Sequence, residues 1–341
     1  MIIRSRAPLR LGLAGGGTDV SPYSDLYGGA ILNATISMYA YATIVPRTDG
    51  KIVLNSIDRN LRIEIDSKMS LELNDDLGLL KGVYNRVVRD FTKSPLSFEL
   101  TTYVDAPAGS GLGSSSALVV AILGAFAEWL KIPLGEYELA YLAYEIERKD
   151  LMLAGGKQDQ YAAAFGGFNF MEFYDGDRVI VNPLRIKPEI VNELQFSLVL
   201  YYTGTSRLSS KIIEAQVEKV TSKEGKSIEA MHKLKEQAIL MKEAILKGNL
   251  DRIGELLDYG WQYKRNLADG ITNPVIDEIY EVAKKAGATG GKISGAGGGG
   301  FMMLYCPGNT RYKVIEALQK FGGEFRRYHF VNYGLETWEV K

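Results

Sequence analysis

Hydrophobic and polar residues alternate in short runs over the first third of the chain. These runs are rich in β-branched and aromatic side chains and are separated by turn residues such as Asp49 and Gly50, so they predict strands. A helix is predicted over residues 76–91. The strands predicted in this region cover residues 36–46, 51–56, 61–66 and 96–104.

Beyond a glycine-containing loop at residues 105–113 the pattern becomes helical. Residues 114–130 open with serines, which are preferred helix caps, and continue with an apolar, alanine-rich body. Apolar residues at the spacing of one helix face predict a second helix over 135–149. The remaining predicted elements are strands at 166–173 and 196–202, helical stretches from 209 to about 267, a helix at 274–286, strands at 292–294 and 301–306, and finally a helix and two strands.

Strands and helices therefore alternate irregularly, with hairpin-like pairs, and this order is more typical of an α+β fold than of a doubly wound parallel sheet. The chain has 341 residues, which is more than one hydrophobic core usually supports. A mixed, proline-containing segment at 182–192 is a candidate boundary. We therefore expect two domains, at residues 1–190 and 191–341.

Charge and cysteine content exclude several classes of protein. The 40 basic and 41 acidic side chains give a net charge of −1, without the basic excess of a nucleic-acid-binding protein. Cys306 is the only cysteine, so no intramolecular disulfide forms, and a reducing cytoplasm is the expected location. The longest apolar stretch, 117–130, is too short to span a bilayer. Neither a nucleic acid nor a membrane is an expected partner.

Many of the 37 glycines cluster in three loops, at residues 15–19, 107–116 and 290–300. Glycine lets the backbone take positive φ and lets a ligand approach closely. The third loop is not a Walker A loop, because Ile293 follows Lys292 where a hydroxyl residue is required. It is not a dinucleotide-binding loop either, because a strand-like run follows it instead of a helix.

The middle loop leads from a predicted strand into a helix that begins near Ser114. Backbone N–H groups at a helix N-terminus form an anion site, and the serine hydroxyls could cap the helix or ligate Mg²⁺. The alternative is a glycine-rich turn with ordinary serine caps.

The three loops together resemble the motifs of the GHMP kinase superfamily. Residues 107–116 match the motif P-x-x-x-G-L-G-S-S-[SA], residues 6–19 resemble the N-terminal motif, and residues 292–300 resemble the C-terminal glycine motif. The resemblance implies a two-domain fold, with an N-terminal domain like the second domain of ribosomal protein S5 and a ferredoxin-like C-terminal domain. It also implies ATP as substrate, with its phosphates bound by Pro107, Gly109, Ser110, Gly111, Leu112, Gly113, Ser114, Ser115 and Ser116.

Within the superfamily, residues 13–19, 155–161 and 202–207 resemble the heptose 7-phosphate kinase branch. This resemblance implies phosphorylation of the anomeric hydroxyl of D-glycero-D-manno-heptose 7-phosphate to the 1,7-bisphosphate, in nucleotide-activated heptose biosynthesis. Two alternatives stay open: a 1-kinase of an unphosphorylated sugar such as L-fucose, and a non-catalytic sugar sensor on the same fold. A homodimer is the expected oligomeric state.

The resemblance also assigns roles at the reacting centre. Ser115 and Glu147 would ligate Mg²⁺, Asp159 would be the catalytic aspartate, and Arg10 would pair with Asp159 or stabilise the transferring phosphoryl group. Asp159 would act as a general base or orient the sugar hydroxyl. The simpler interpretations are a solvated surface charge for Glu147 and a helix cap for Asp159.

The substrate site is predicted to lie around Asp19, which would accept hydrogen bonds from sugar hydroxyls. Gly16 and Gly17 stand where galactokinase has Glu and His, which implies a roomier pocket. Arg207 and Lys157 are the candidates for a substrate phosphate, with surface cations as the alternative. The predicted substrate-binding residues are Gly17, Thr18, Asp19, Lys157, Thr205, Ser206, Arg207, Gly297 and Gly298.

Overall fold

A computed structural model of the protein describes residues 1–204 and 209–341, without the side chain of Ser209. Two β-sheets form its framework, and helices pack against both. The predicted residues Thr205, Ser206 and Arg207 lie outside the described part of the chain.

The first sheet has eight strands in the described residues, in the order β12-β1-β2-β5-β3-β4, with β6 and β7 attached beside β2. All neighbours are antiparallel except the β3–β5 pair. Its strands are β1 (Ile2–Ala14), β2 (Gly29–Pro46), β3 (Lys51–Ser56), β4 (Leu61–Asp66), β5 (Phe98–Val104), β6 (Phe168–Phe173), β7 (Val179–Pro183) and β12 (Glu336–Val340).

The second sheet has four strands in the described residues, in the order β11-β8-β10-β9. Its strands are β8 (Leu198–Tyr202), β9 (Gly290–Ile293), β10 (Phe301–Tyr305) and β11 (Glu324–Arg326). Successive side chains of β8 and β10 alternate between two hydrophobic cores, as the two-residue period of a strand requires. Both faces of this sheet are therefore covered, which explains why β8 and β10 are apolar throughout.

The helices before β8 pack on the first sheet or on one another, except the last, which contacts β8. The longest, α3, begins directly after the middle glycine loop and packs on β1 and β2. Two of the helices end in a π turn, at Val88–Thr92 and Ile146–Asp150. The helices are α1 (Tyr23–Tyr27), α2 (Gly78–Val87), α3 (Ser114–Leu130), α4 (Glu136–Glu145), α5 (Gln158–Phe165) and α6 (Pro188–Ser197).

The later helices cover the second sheet and join it to the first. Helix α8 contributes Met231 and Leu234 to one core and Met241 and Ile245 to the other, so it packs against both halves of the molecule. The helices are α7 (Ser209–Thr221), α8 (Gly225–Lys247), α9 (Asp251–Lys264), α10 (Pro274–Lys285) and α11 (Thr310–Leu318).

The predicted α+β class is confirmed. The division at residues 1–190 and 191–341 stays a prediction, and two features complicate it. Residue 190 lies inside helix α6, and strand β12 pairs with β1 in the first sheet, with Ile2 opposite Val340. No helix in the described residues is long and apolar enough to cross a membrane.

An aromatic cluster connects the centre of the first sheet to its helices. Phe98 on β5 is fully buried, and its ring lies 5.2 Å from Phe126 and 5.9 Å from Trp129 on α3. Tyr84 on α2 is 5.7 Å away. Rings of this size dominate the energy of a core.

We expect Phe98→Ala to lower the free energy of unfolding by about 3–5 kcal/mol, because it removes a buried ring and leaves a cavity. Phe91→Ala is the matched control, since Phe91 is 36% exposed and its truncation should cost less than about 1 kcal/mol. Denaturant unfolding followed by circular dichroism measures both. Equal losses of unfolding free energy in the two variants would show that the aromatic cluster does not stabilise the first sheet.

Candidate active site

The three glycine loops meet around one cavity of about 390 Å³. The carbonyl oxygen of Gly111, in the middle loop, accepts hydrogen bonds from Arg10 Nη1 at 2.6 Å and from Ser294 Oγ at 2.8 Å. The N–H of Phe301 donates to the carbonyl of Ser110 at 3.0 Å. Residues from β1, the middle loop and the third loop are thus held against one another at the cavity wall.

The middle loop is shaped by glycines in the left-handed region. Gly109, Gly111 and Gly113 have φ of 73°, 79° and 74°. A Cβ at Gly111 would lie only 2.3 Å from the carbonyl oxygen of Ser294, so the two loops approach too closely for any side chain there. Helix α3 begins at Ser114 without a side-chain cap at Gly113, which leaves its first N–H groups for another acceptor.

Six of the nine predicted ATP-binding residues line the cavity, and three do not. Ser110 and Leu112 are fully buried behind the loop, and Pro107 is not part of the cavity wall. The residues that line it are Gly109, Gly111, Gly113, Ser114, Ser115 and Ser116.

Glu147 lies beside the start of α3. The Ser115 hydroxyl donates to Glu147 Oε1 at 3.1 Å, and the Ser116 hydroxyl donates to Glu147 Oε2 at 2.7 Å. Gln160 Nε2 also donates to Oε2. Glu147 is buried, so the solvated surface charge considered for it is wrong. A buried carboxylate beside a hydroxyl is a set of hard oxygen donors that suits Mg²⁺.

Arg10 and Asp159 form an ion pair, which is one of the two roles that the family resemblance implies for Arg10. Arg10 Nε lies 2.7 Å from Asp159 Oδ1, and both residues line the cavity. Arg10 is buried, whereas the Asp159 side chain keeps 23% of its surface exposed. The carboxylate of Asp159 is therefore accessible to a bound molecule while the arginine fixes its orientation.

Asp19 holds the N-terminus of the helix that carries Asp159. Asp19 Oδ2 accepts from the N–H of Lys157 at 3.0 Å and from the N–H of Gln158 at 3.1 Å, in the first turn of α5. A Cβ at Gly156 would lie 1.9 Å from the same oxygen, so this approach requires glycine. Burial and the nearby charge of Asp159 raise the pKa of the Asp19 carboxyl.

The other predicted residues of the first and third glycine loops divide into two groups. Gly17 lines the cavity, but Thr18 is fully buried, and its hydroxyl donates to the carbonyls of Gly15 and Ala30. Gly297 and Gly298 pack against Ile271 and do not line the cavity. Gly295 and Ala296 line it instead.

Lys157 is turned away from the cavity. Its ammonium lies 3.3 Å from Asp25 and 3.1 Å from Asp177, and the side chain is 2% exposed. Lys157 lines a neighbouring cavity of about 560 Å³ that shares Asp19 with the first. Because two carboxylates already compensate its charge, this geometry does not support the predicted role in binding a substrate phosphate.

The sequence analysis gave no role to four further residues of the cavity wall. Gln158 Oε1 and Gln216 Nε2 are buried polar atoms that have no hydrogen-bond partner within the described residues. Lys264 and Lys292 are buried lysines that also line the cavity. Lys292 could have been noticed, because it opens the third glycine motif. Lys264 lies in an ordinary helical pattern with no local signal.

Known proteins are similar to this chain over its whole length. The GHMP kinase N-terminal domain matches residues 78–167 and the GHMP kinase C-terminal domain matches residues 241–324, together more than half of the chain. A D-glycero-alpha-D-manno-heptose 7-phosphate kinase of Campylobacter jejuni is 50% identical over 338 residues, which cover 99% of each chain.

Solved structures agree with the sequence matches. A crystal structure described as a D-glycero-D-manno-heptose 1-phosphate kinase from Bacteroides thetaiotaomicron is 49% identical, covers 99% of each chain and superposes with a TM-score of 0.85. The mevalonate kinase of Methanococcus jannaschii, at 19% identity, covers 97% of this chain and 98% of its own with a TM-score of 0.76, which shows the common fold alone. The chain therefore belongs to the GHMP kinase family, whose members use ATP as the phosphoryl donor.

Proposed function

We propose that this ATP-dependent sugar kinase phosphorylates the anomeric hydroxyl of D-glycero-D-manno-heptose 7-phosphate and releases the 1,7-bisphosphate. The observation that carries this proposal is the single cavity in which the Arg10–Asp159 pair faces the start of α3. The 50% identity to a heptose 7-phosphate kinase over 99% of both chains supports the choice of sugar. The product would enter the synthesis of nucleotide-activated heptose.

The two named relatives differ in the phosphate that their substrate carries. One is described as a kinase of the 7-phosphate and the other as a kinase of the 1-phosphate. Both reactions would give the same 1,7-bisphosphate, because each adds the phosphate that the other substrate already has. The two relatives are about equally identical to this chain and are covered to the same extent. We favour the 7-phosphate because residues 13–19, 155–161 and 202–207 resemble the heptose 7-phosphate kinase branch, and the assay below separates the two.

The transfer itself needs positioning and electrostatic stabilisation. The anomeric oxygen attacks the γ-phosphorus of ATP, the bond from that phosphorus to the bridging oxygen breaks, and ADP leaves. Asp159, accessible and held by Arg10, accepts the hydroxyl proton or orients the hydroxyl until the proton reaches solvent. The guanidinium of Arg10 places positive charge beside the site of transfer.

Mg²⁺ fits the residues beside the start of α3. Ser115 and Glu147 would hold it, because a hydroxyl and one buried carboxylate offer hard oxygen ligands. No group of three His, Cys, Asp or Glu side chains suited to a metal occurs in the part of the chain that the structure describes. Proteins typically bind Mg²⁺ through one or two carboxylates together with the phosphates of the substrate, so a cluster of three such side chains is not required. When bound, Mg²⁺ would neutralise charge on the phosphate oxygens.

A cytoplasmic location and a homodimer complete the proposal. The location is supported by the single cysteine, Cys306, which is buried and free. The dimer is supported only by the general prevalence of twofold symmetry among enzymes.

A coupled ADP-release assay with ATP and Mg²⁺ tests the proposal. The substrates compared are the 7-phosphate and the 1-phosphate of D-glycero-D-manno-heptose, L-fucose, galactose, mannose and mevalonate. Selective turnover of the 7-phosphate is expected. Selective turnover of the 1-phosphate would move the reacting hydroxyl to the other end of the sugar. Turnover of a free sugar alone would exclude a sugar-phosphate kinase. ATP binding without turnover of any substrate would indicate a sensor.

We expect Asp159→Asn to lower kcat by about 10²–10⁴-fold, because the amide cannot accept the hydroxyl proton. The KM for ATP should change little, since Asp159 is not in the phosphate loop. Asp175→Asn is the matched control, because Asp175 is exposed and outside both cavities, and it should keep full activity. Unchanged kcat in Asp159→Asn would remove Asp159 from the mechanism.

We expect Glu147→Gln to raise the Mg²⁺ concentration for half-maximal activity by about tenfold or more, because the amide loses the charge that attracts the ion. Glu136→Gln, an exposed position at the start of α4, should leave that concentration unchanged. Activity is titrated with Mg²⁺ at saturating ATP. An unaltered Mg²⁺ dependence in Glu147→Gln would assign Glu147 to structure alone.

A further inference from the structure

Two lysines from distant parts of the chain bring their ammonium groups to the first glycine loop. Lys264 ends helix α9, and Lys292 lies on strand β9. A Cβ placed on Gly16 would lie 3.5 Å from Lys264 Nζ and 3.7 Å from Lys292 Nζ. Both ammonium groups therefore adjoin the small volume that Gly16, lacking a side chain, leaves open.

Neither ammonium group has a carboxylate in ion-pair contact within the described residues, and the charge of Asp19 only partly offsets the effect of burial on the pKa of Lys264. Lys264 Nζ donates to the carbonyl of Gly16 at 3.1 Å, and Lys292 Nζ donates to the carbonyl of Gly12 at 2.9 Å. Neither lysine has an acidic side chain within 4.0 Å among those residues, in contrast to Lys157, which has two. An ammonium has three N–H donors, so each lysine keeps donors for a further acceptor.

Burial makes these two cations costly in the free protein. Lys264 is 3% exposed and Lys292 is 5% exposed. Burial lowers the pKa of Lys264 to about 8, and burial together with the positive charges of Lys264 and Arg10 lowers the pKa of Lys292 below its usual range. Two like charges that are buried side by side in a cavity wall are unfavourable, and a bound anion would compensate both.

The two ammonium groups lie on the side of the cavity that the first glycine loop forms. Gly16, which adjoins both ammonium groups, and Gly17, which adjoins Lys264, are in the first loop with Asp19, whereas the middle loop at residues 107–116 leads into α3. A Cβ on Gly17 would lie 3.4 Å from Gln216 Oε1, and the amide nitrogen of Gln216 is a buried donor without a partner in the described residues. The side-chain amide of Gln216, which carries this unpaired donor, thus lies in the wall of the same cavity.

We propose that Lys264 and Lys292 bind the phosphate group that the sugar substrate already carries, and that they thereby select a sugar phosphate over a free sugar. This inference rests on the proposed function and gives the phosphate a site that Lys157 does not provide. The absence of a side chain at Gly16 is part of this phosphate site, because an acidic side chain there would neutralise both lysines.

Lys264→Met and Lys292→Met test the site, because methionine keeps most of the side-chain length and removes the charge. The kcat/KM for heptose 7-phosphate is expected to fall about 10- to 100-fold in each variant, as for the loss of a hydrogen bond to a charged group. The kcat/KM for unphosphorylated D-glycero-D-manno-heptose and the KM for ATP should stay within about threefold. Lys285→Met, at an exposed position on α10, is the matched control.

Gly16→Glu tests the same site by adding charge. The backbone φ of Gly16 lies outside the left-handed region, and its Cβ would make ordinary contacts, so a side chain can be accommodated. Gly16→Glu should abolish the preference for the phosphorylated sugar by pairing with the lysines. Gly16→Ala, which adds volume without charge, should retain that preference.

The result that would overturn the inference is an equal loss with the phosphorylated and the free sugar, or a raised KM for ATP in the lysine variants. Either would assign the lysines to general structure or to the nucleotide.

A thermal-shift titration with inorganic phosphate, at a saturating concentration of a non-hydrolysable ATP analogue, tests the site without turnover. Wild type should show a rise in Tm that Lys264→Met loses. If wild type turns over no heptose phosphate yet shows this rise, the proposed function fails and the anion site stands. If turnover is normal and the rise persists in both lysine variants, the anion site fails alone.

Discussion

The guanidinium of Arg10 is the contact on which the arrangement of the active site depends. It binds Asp159 on α5, the carbonyl of Gly111 in the middle loop and the hydroxyl of Ser294 in the third loop. These partners come from distant parts of the chain, and each is an acceptor that a single planar cation can orient at once. Without Arg10, helix α5, the middle loop and the third loop would lose a side chain that contacts all three.

The charges of the cavity differ in how they are compensated in the free protein. Glu147 is buried but accepts hydrogen bonds from two hydroxyls and one amide, and Arg10 is buried but pairs with Asp159. The charges of Glu147 and Arg10 are therefore stabilised by the protein itself before any ligand binds. Lys264 and Lys292 have only backbone carbonyls as acceptors in the described residues, so their region of the wall is the part that gains most from an anion.

Local patterns in the sequence predicted the middle loop and the helix after it, and the family resemblance implied the pairing of Arg10 with Asp159. The local patterns did not predict strand β1, because alanine, proline and arginine interrupt its apolar run. They also assigned Thr18, Lys157, Gly297 and Gly298 to the substrate, since position in a motif does not reveal which way a side chain turns. Lys264 could not be found this way, because its approach to Gly16 depends on how α9 packs.

The pairing of β12 with β1 has a consequence for how the protein is made. Ile2 lies opposite Val340, so the strand that carries Arg10 has no partner on that edge until the last strand has been synthesised. During translation an unpaired edge of this kind can template association with another chain. Folding of the first sheet is thus completed late, because its edge strand is paired by a segment that is far away in the sequence.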